Sequence, residues 1–145
     1  MQIAVTLARV LLGGLLVVTG ALKINHAPEL ASAMAGFRLG LPVEVVSVSA
    51  VALPYFEVLL GFYLLLGLFT RAAGIVAAVQ FVVYGAVIGS AVVRNIPANC
   101  GCFGPGDAAT ADWPHVAFDL LLAAIAAFIA AGAPGILALD RRLRP

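Results

Sequence analysis

Long apolar stretches separated by short polar breaks dominate the pattern of this chain. Four of them are long enough to cross the roughly 30 Å of hydrocarbon in a bilayer as helices of about 20 residues. They cover about residues 3–22, 43–69, 72–93 and 116–139. Strands of a membrane β-barrel alternate in polarity, which these stretches do not, and backbone groups in lipid must be hydrogen-bonded internally. The sequence therefore predicts a single all-α domain, a bundle of four transmembrane helices.

The break between the first and second stretches contains a short amphipathic segment. From Ala27 to Arg38, the apolar residues Leu30, Met34 and Phe37 fall on one side of a helix. Pro28 suits the first turn of this helix and Gly40 suits its end. We expect an interfacial helix that lies on the membrane between spans one and two.

Composition agrees with a membrane protein and excludes several classes of function. Hydrophobic residues make up 63% of the 145 positions and charged residues 10%, whereas a soluble domain is about half apolar and about a quarter charged. The net charge of +1, without a basic run, argues against nucleic-acid binding. Arg9 interrupts the first apolar stretch, and no clear cleavage motif precedes Lys23. We therefore expect a retained first helix, not a signal peptide.

The distribution of basic residues predicts the orientation of the bundle. With four spans, both termini lie on one side, together with Arg71, Arg141, Arg142 and Arg144. The other side carries Lys23, Arg38 and Arg94. The excess of positive charge on cytoplasmic loops favours cytoplasmic termini. The loop at about residues 94–112 is then extracytoplasmic, in a cell-membrane protein with several spans.

That loop holds the two cysteines of the chain, Cys100 and Cys102, one residue apart. A disulfide between residues i and i+2 needs a turn, which Gly101 permits. So small a ring is expected to be strained and labile, and closing it removes little chain entropy. The pair is therefore typical of a redox or metal unit and not of a structural staple, and disulfides persist outside the cytoplasm.

The start of the last helix is expected to lie near these thiols. Asp112 can cap this helix, whose amino end would favour the thiolate form. His115 and Asp119 are four residues apart, so Asp119 can orient an imidazole that holds or passes a proton. The alternative is that Asp112 is only a cap, His115 an interfacial residue, and Asp119 a partner of Arg94 or Lys23.

Two charges are expected inside the membrane. Glu57 lies well within the second span, where a charge is usually paired or functional. We expect an ion pair between Arg9 and Glu57; the alternative is a polar site for a quinone head group or a proton. Lys23 is expected to anchor the first helix at the interface or to line a docking surface. The Gly85–Gly89 spacing permits close helix contact, within the bundle or in a homo-oligomer.

Several segments together resemble a known family. Residues 8–13 and 20–23 resemble the first helix of DoxX-like membrane proteins, and residues 54–71 resemble the second. The Cys100–Gly104 segment before the last helix is similar to the MauE branch of that family. The resemblance covers nearly the whole chain. It implies a four-helix membrane protein that works beside a thioredoxin-like extracytoplasmic partner, with Cys100 and Cys102 as the redox pair and Glu57 with Arg9 as an intramembrane polar set.

The leading hypothesis is a membrane thiol–disulfide oxidoreductase that exchanges electrons with a Cys-x-x-Cys protein. The chain has no second cysteine pair, so either a quinone accepts the electrons or both half-reactions occur on one side. A second hypothesis is a protein that binds or transfers copper, zinc or mercury through the two thiols, with His115 or His26 as a further ligand. A third is a non-catalytic membrane anchor of a redox complex.

Overall fold

The computed structural model of the protein describes residues 1–99, 101 and 109–143, without the side chains of 142 and 143. These residues form helices and no named strand. Four of the helices are long and apolar enough to cross a membrane, which confirms the predicted four-helix membrane fold. The helices are α1 (Gln2–Lys23), α2 (Ala27–Gly36), α3 (Val43–Leu66), α4 (Thr70–Val93), α5 (Trp113–Gly132) and α6 (Asp140–Leu143).

The four long helices alternate in direction, so the bundle has two distinct ends. The termini end holds the start of α1, the α3–α4 turn, the end of α5, and α6. The loop end holds Lys23, α2 and the segment that leads to the cysteines. Leu68 and Phe69 form a tight turn between α3 and α4, so α3 ends before the predicted limit at residue 69 and α4 begins at Thr70. Gly67 before the turn adopts a left-handed conformation (φ +67°) that ends α3.

Close backbone contacts set the register between α1 and α3. A β-carbon at Gly61 would lie 2.7 Å from the carbonyl oxygen of Gly13, and one at Gly20 would lie 2.8 Å from that of Pro54. The absence of these side chains lets the two antiparallel helices touch. This register brings the carboxyl end of α1 beside the middle of α3, and the amino-terminal half of α1 beside the end of α3.

The register overturns the predicted pair between Arg9 and Glu57. Arg9 lies at the termini end, where its guanidinium donates to the carbonyl oxygens of Pro134 and Leu137 at 3.5 and 3.4 Å. Arg9 is buried against Gly67. Glu57 lies further toward the loop end, so the Arg9–Glu57 ion pair is wrong, and Arg9 instead holds the segment after α5 against the bundle.

The helices α4 and α5 also pack through small residues. A β-carbon at Gly74 would lie 3.0 Å from the carbonyl oxygen of Ala126, and one at Gly85 would lie 3.4 Å from the β-carbon of Asp119. Gly89 lies next to Val116. The Gly85–Gly89 face therefore contacts α5 within the bundle.

The segment after α5 folds back across the termini end. α5 ends at Gly132, before the predicted limit at residue 139, because Pro134 lacks the amide that would continue the helix. The chain then reaches α6, where the carboxylate of Asp140 accepts hydrogen bonds from the amides of Phe69 and Thr70 at 2.8 and 2.7 Å. Asp140 thus supplies the cap that begins α4.

Candidate functional site

The loop that carries the cysteines leaves and re-enters the bundle at a fixed base. Ala111 donates to the carbonyl oxygen of Ala98 at 2.8 Å, and Asn99 and Thr110 form an antiparallel bridge. Arg94 ties this base to the end of α2 through the carbonyl oxygens of Phe37 and Arg38, at 2.6 and 3.0 Å. The base therefore sits directly beside α2.

Gly101 lies between the two cysteines in sequence, so its position in the structure locates the cysteine motif. Cys100 and Cys102 themselves lie outside the described residues. Gly101 has a left-handed backbone (φ +62°), the conformation expected for a glycine in a turn. A β-carbon on it would lie 3.4 Å from the β-carbon of Ala33, so this residue is held against α2.

Asp112 and His115 form a local unit at the start of α5. One carboxylate oxygen of Asp112 accepts from the backbone amide of His115 at 3.0 Å and also contacts the Nδ1 atom of its imidazole. These hydrogen bonds from His115 lower the pKa of Asp112 below its usual range. Asp112 is thus the predicted cap. The prediction that Asp119 orients the imidazole is wrong, because Asp112 makes that contact.

Glu57 is the centre of a buried polar group. Its carboxylate lies 3.0 and 3.2 Å from the Nζ atom of Lys23 and accepts from the hydroxyl of Tyr84 at 2.6 Å. The amide of Gln80 donates to it at 3.2 Å and also to the Tyr84 hydroxyl at 3.1 Å. We call Lys23, Glu57, Gln80 and Tyr84 the Glu57 cluster. It joins α1, α3 and α4 in the interior of the bundle.

The Glu57 cluster explains how two charges persist inside the bundle. Glu57 and Lys23 are 2% and 8% exposed, so neither is solvated as a surface side chain is. Each supplies the opposite charge that the other needs in a low-dielectric interior. The expectation that Lys23 anchors α1 at the interface is therefore wrong.

Asp119 lies close to this cluster but is not part of its hydrogen bonds. It is 6% exposed, and its Oδ2 atom has no hydrogen-bond partner among the described residues. It lies within electrostatic range of Lys23, Tyr84 and His115. A buried carboxyl group with a free oxygen is costly for stability and is available to a ligand.

These groups surround a cavity of about 310 Å³ inside the bundle, which we call the inner cavity. Its walls are mostly apolar, and α2 closes it with the side that the sequence predicts to be apolar, Leu30, Met34 and Phe37. The polar side chains that line it are Thr19, Lys23, Glu57, Tyr84, His115 and Asp119.

A second, more open space of about 570 Å³ lies between α2 and the loop base, and we call it the outer cleft. His26, Glu29 and Asn99 give it a polar lining. Lys23, Leu30 and Gly101 line both the outer cleft and the inner cavity. The two spaces therefore meet at the residue that separates the two cysteines in sequence.

Comparison with known proteins identifies the family. The family model described as methylamine utilisation protein MauE matches residues 1–132. The chain belongs to the MauE family. It is 31% identical over 127 residues to the methylamine utilization protein MauE of Paracoccus denitrificans, which covers 87% of this chain and 68% of that protein. No solved structure matches the chain. The resemblance inferred from the helix and cysteine motifs is confirmed, and this MauE-family protein is a helical membrane protein with four candidate spans.

The structure thus brings together some of the predicted site residues and separates others. Glu57, His115 and Asp119 line one cavity, whereas Arg9 lies at the other end of the bundle. Sequence reasoning missed Tyr84 and Gln80 as partners of Glu57. The available signal was Gln80, a strongly polar side chain near the middle of α4, with Tyr84 one helical turn later.

Proposed function

We propose that this MauE-family protein is a membrane thiol–disulfide oxidoreductase coupled to quinone. In this proposal Cys100 and Cys102 take two electrons from the Cys-x-x-Cys site of a thioredoxin-like extracytoplasmic protein and pass them to a quinone in the inner cavity. The observation that carries the proposal is that Gly101 lines both the outer cleft and the inner cavity. Gly101, which separates the two cysteines in sequence, thus borders both a space that a partner protein can approach and a space inside the bundle.

The partner is oxidised through the outer cleft. A thiolate of the partner attacks the Cys100–Cys102 disulfide, which forms a mixed disulfide and releases one thiol of the pair. The second partner thiolate then attacks the mixed disulfide. The partner leaves as a disulfide, and Cys100 and Cys102 become a dithiol that carries the two electrons.

The inner cavity is suited to accept those electrons. Its volume of about 310 Å³ lies at the lower end of the ~300–1,000 Å³ range of small-molecule sites. Apolar walls suit an aromatic head group. The hydroxyl of Tyr84 is already donated to Glu57, whereas the carboxyl group of Asp119 has an oxygen without a partner among the described residues and, as the neutral acid, can donate to a quinone oxygen. Re-formation of the Cys100–Cys102 disulfide releases two electrons and two protons, and reduction of a quinone to a quinol consumes both.

The distribution of charge supports an extracytoplasmic loop end. Lys23 is neutralised by Glu57 inside the bundle, so Arg38 and Arg94 remain as basic residues there. The termini end carries Arg71, Arg141 and Arg142, and the sequence adds Arg144 two residues later, so the count becomes four against two. The positive-inside bias toward cytoplasmic termini is therefore stronger than the sequence count alone suggested.

The proposal is tested with purified protein in detergent micelles or nanodiscs, kept without air. Wild type and the Cys100→Ser and Cys102→Ser variants are mixed with a short-chain ubiquinone and a reduced thioredoxin-like protein, and quinol formation is followed. We expect turnover in wild type and its loss in both variants. Equal activity in all three would exclude the thiols from the reaction.

Alkylation mass shifts and metal content are measured on protein isolated without reductant, and stoichiometric copper or zinc without a reversible disulfide would favour metal transfer.

A further inference from the structure

Asp119 is a carboxyl group that the packing of the bundle does not explain. It is 94% buried, and its Oδ2 atom lacks a hydrogen-bond partner among the described residues. Gly85 leaves room for it on α4, yet the described residues give this oxygen no hydrogen-bond donor. A buried carboxyl oxygen without a hydrogen bond lowers the stability of the bundle. This destabilisation points to a role for Asp119 in the chemistry of the cavity.

The groups around the inner cavity differ in what they can offer a ligand. The carboxylate of Glu57 is already occupied by Lys23, Tyr84 and Gln80. Asp119 lines the same cavity with a free oxygen. A carboxyl group without a partner in an apolar site has its lowest free energy as the neutral acid, and the neutral acid has an O–H to donate.

We propose that Asp119 is the catalytic acid that protonates the quinone in the inner cavity, an inference that rests on the proposed function. As Cys100 and Cys102 close to a disulfide, two electrons enter the quinone and the two thiol hydrogens leave as protons to water in the outer cleft. Asp119 gives its carboxyl proton to one quinone oxygen. The other oxygen receives its proton through Lys23, which lines both spaces.

The proton that Asp119 loses returns from the loop end. His115 lies one helical turn nearer to that end and lines the same cavity. Asp112 contacts the Nδ1 atom of its imidazole, so in this proposal Nε2 is the atom that exchanges the proton. His115 takes a proton released at the cleft and passes it to Asp119, so the cycle consumes two thiol protons and forms one quinol.

The test is an anaerobic single turnover of reduced protein with a short-chain ubiquinone. The variants are Asp119→Asn, Asp119→Glu and Asp119→Leu, with Asp140→Asn as a matched control because Asp140 caps α4 at the other end of the bundle. Three quantities are measured: the rate of quinol formation at saturating quinone, quinone affinity, and the rate of thiol exchange with the reduced partner. The rate of quinol formation is also compared in H₂O and D₂O.

We expect Asp119→Asn to slow quinol formation at saturation by about 100-fold or more, the usual contribution of a general acid. Quinone affinity and thiol exchange should remain within a few-fold of wild type, and Asp119→Glu should recover part of the rate. Asp119→Leu should raise the free energy of unfolding while quinol formation is lost, a combination that a structural residue does not give. The solvent isotope effect of wild type should change in Asp119→Asn.

Wild-type speed in Asp119→Asn or Asp119→Leu would overturn the assignment while the proposed function stands. A slow Asp119→Asn whose rate recovers fully at higher quinone concentration would also overturn it, because Asp119 would then only bind the quinone. If wild type exchanges thiols with the partner but does not reduce quinone, quinone coupling fails and the assignment fails with it.

Discussion

The ion pair between Lys23 and Glu57 gives the sharpest stability prediction. The substitution Glu57→Gln keeps the size of the side chain and one carbonyl oxygen, so Tyr84 and Gln80 retain an acceptor. It leaves Lys23, which is 8% exposed, without the carboxylate that lies 3.0 Å from its ammonium. The perturbation is therefore mainly the loss of one charge from a buried pair.

Removal of one partner from a buried ion pair costs about 3–5 kcal/mol, because the other charge stays buried without compensation. We expect a loss of this size in the free energy of unfolding for Glu57→Gln. The matched control is Glu44→Gln, on the same helix but exposed, which should change stability by about 0.5 kcal/mol or less. The double variant Lys23→Met with Glu57→Gln removes both charges and should lie within about 1 kcal/mol of wild type, since uncharged replacements of such pairs are often neutral.

The assay is reversible unfolding in mixed micelles as the fraction of a denaturing detergent rises. Helix content and the fluorescence of Trp113, the single tryptophan of the chain, report the transition. The reasoning is refuted if Glu57→Gln costs no more than Glu44→Gln. Lys23→Met is also measured alone. The reasoning is refuted as well if the double variant loses the sum of the losses of Glu57→Gln and Lys23→Met, because the charges would then act independently.

Three further predictions concern stability. Gly61→Ala should lower the free energy of unfolding by about 1–3 kcal/mol, because the added β-carbon meets the Gly13 carbonyl at 2.7 Å, whereas Gly14→Ala meets nothing within 4 Å and should be neutral or stabilising; equal effects in detergent unfolding would contradict the helix register. Asp140→Ala should cost about 0.5–2 kcal/mol as a lost cap, measured in the same way, and Asp140→Asn should cost less, because its one carbonyl oxygen can keep one of the two hydrogen bonds; no measurable loss in Asp140→Ala would show that the cap does not hold α4. Since hydrogen bonds lower the pKa of Asp112 in the folded state, its stabilisation is present above about pH 4 and is lost as the pH falls through that lowered pKa. The difference in thermal midpoint between wild type and Asp112→Ala should therefore shrink in acid, and a difference that grows there would be evidence against this role.

The sequence predicted the architecture well because hydropathy and span length are local properties. Four spans, the short α2 helix and the Asp112 cap all follow from residue types within a few positions. The side of α2 that carries Leu30 and Met34 was also predicted, although it closes a cavity in the bundle.

The intramembrane pairing was not predictable in the same way, because it depends on the register between helices. Arg9 and Lys23 are both basic residues of α1. Close contacts of its glycines with α3 set the register between the two helices, and this register places Lys23, not Arg9, beside Glu57. Tyr84 could be recognised as a partner only once α4 was placed beside α3. The free oxygen of Asp119 likewise appears only when the neighbours of α5 are known.

The central claim is that the cysteine pair gives its electrons to a quinone in the inner cavity. Met34 lines that cavity from α2, outside the core of the bundle, so Met34→Trp should fill the cavity and Met34→Leu should not. Reduced protein is mixed with a short-chain ubiquinone without air, and the loss of alkylatable Cys100 and Cys102 is followed by mass spectrometry. We predict rapid disulfide formation in wild type and Met34→Leu, and a slowing of about 10-fold or more in Met34→Trp, which corresponds to about 1.4 kcal/mol in the barrier. Equal rates in all three proteins would contradict the account, because the thiols would then be oxidised without use of the cavity.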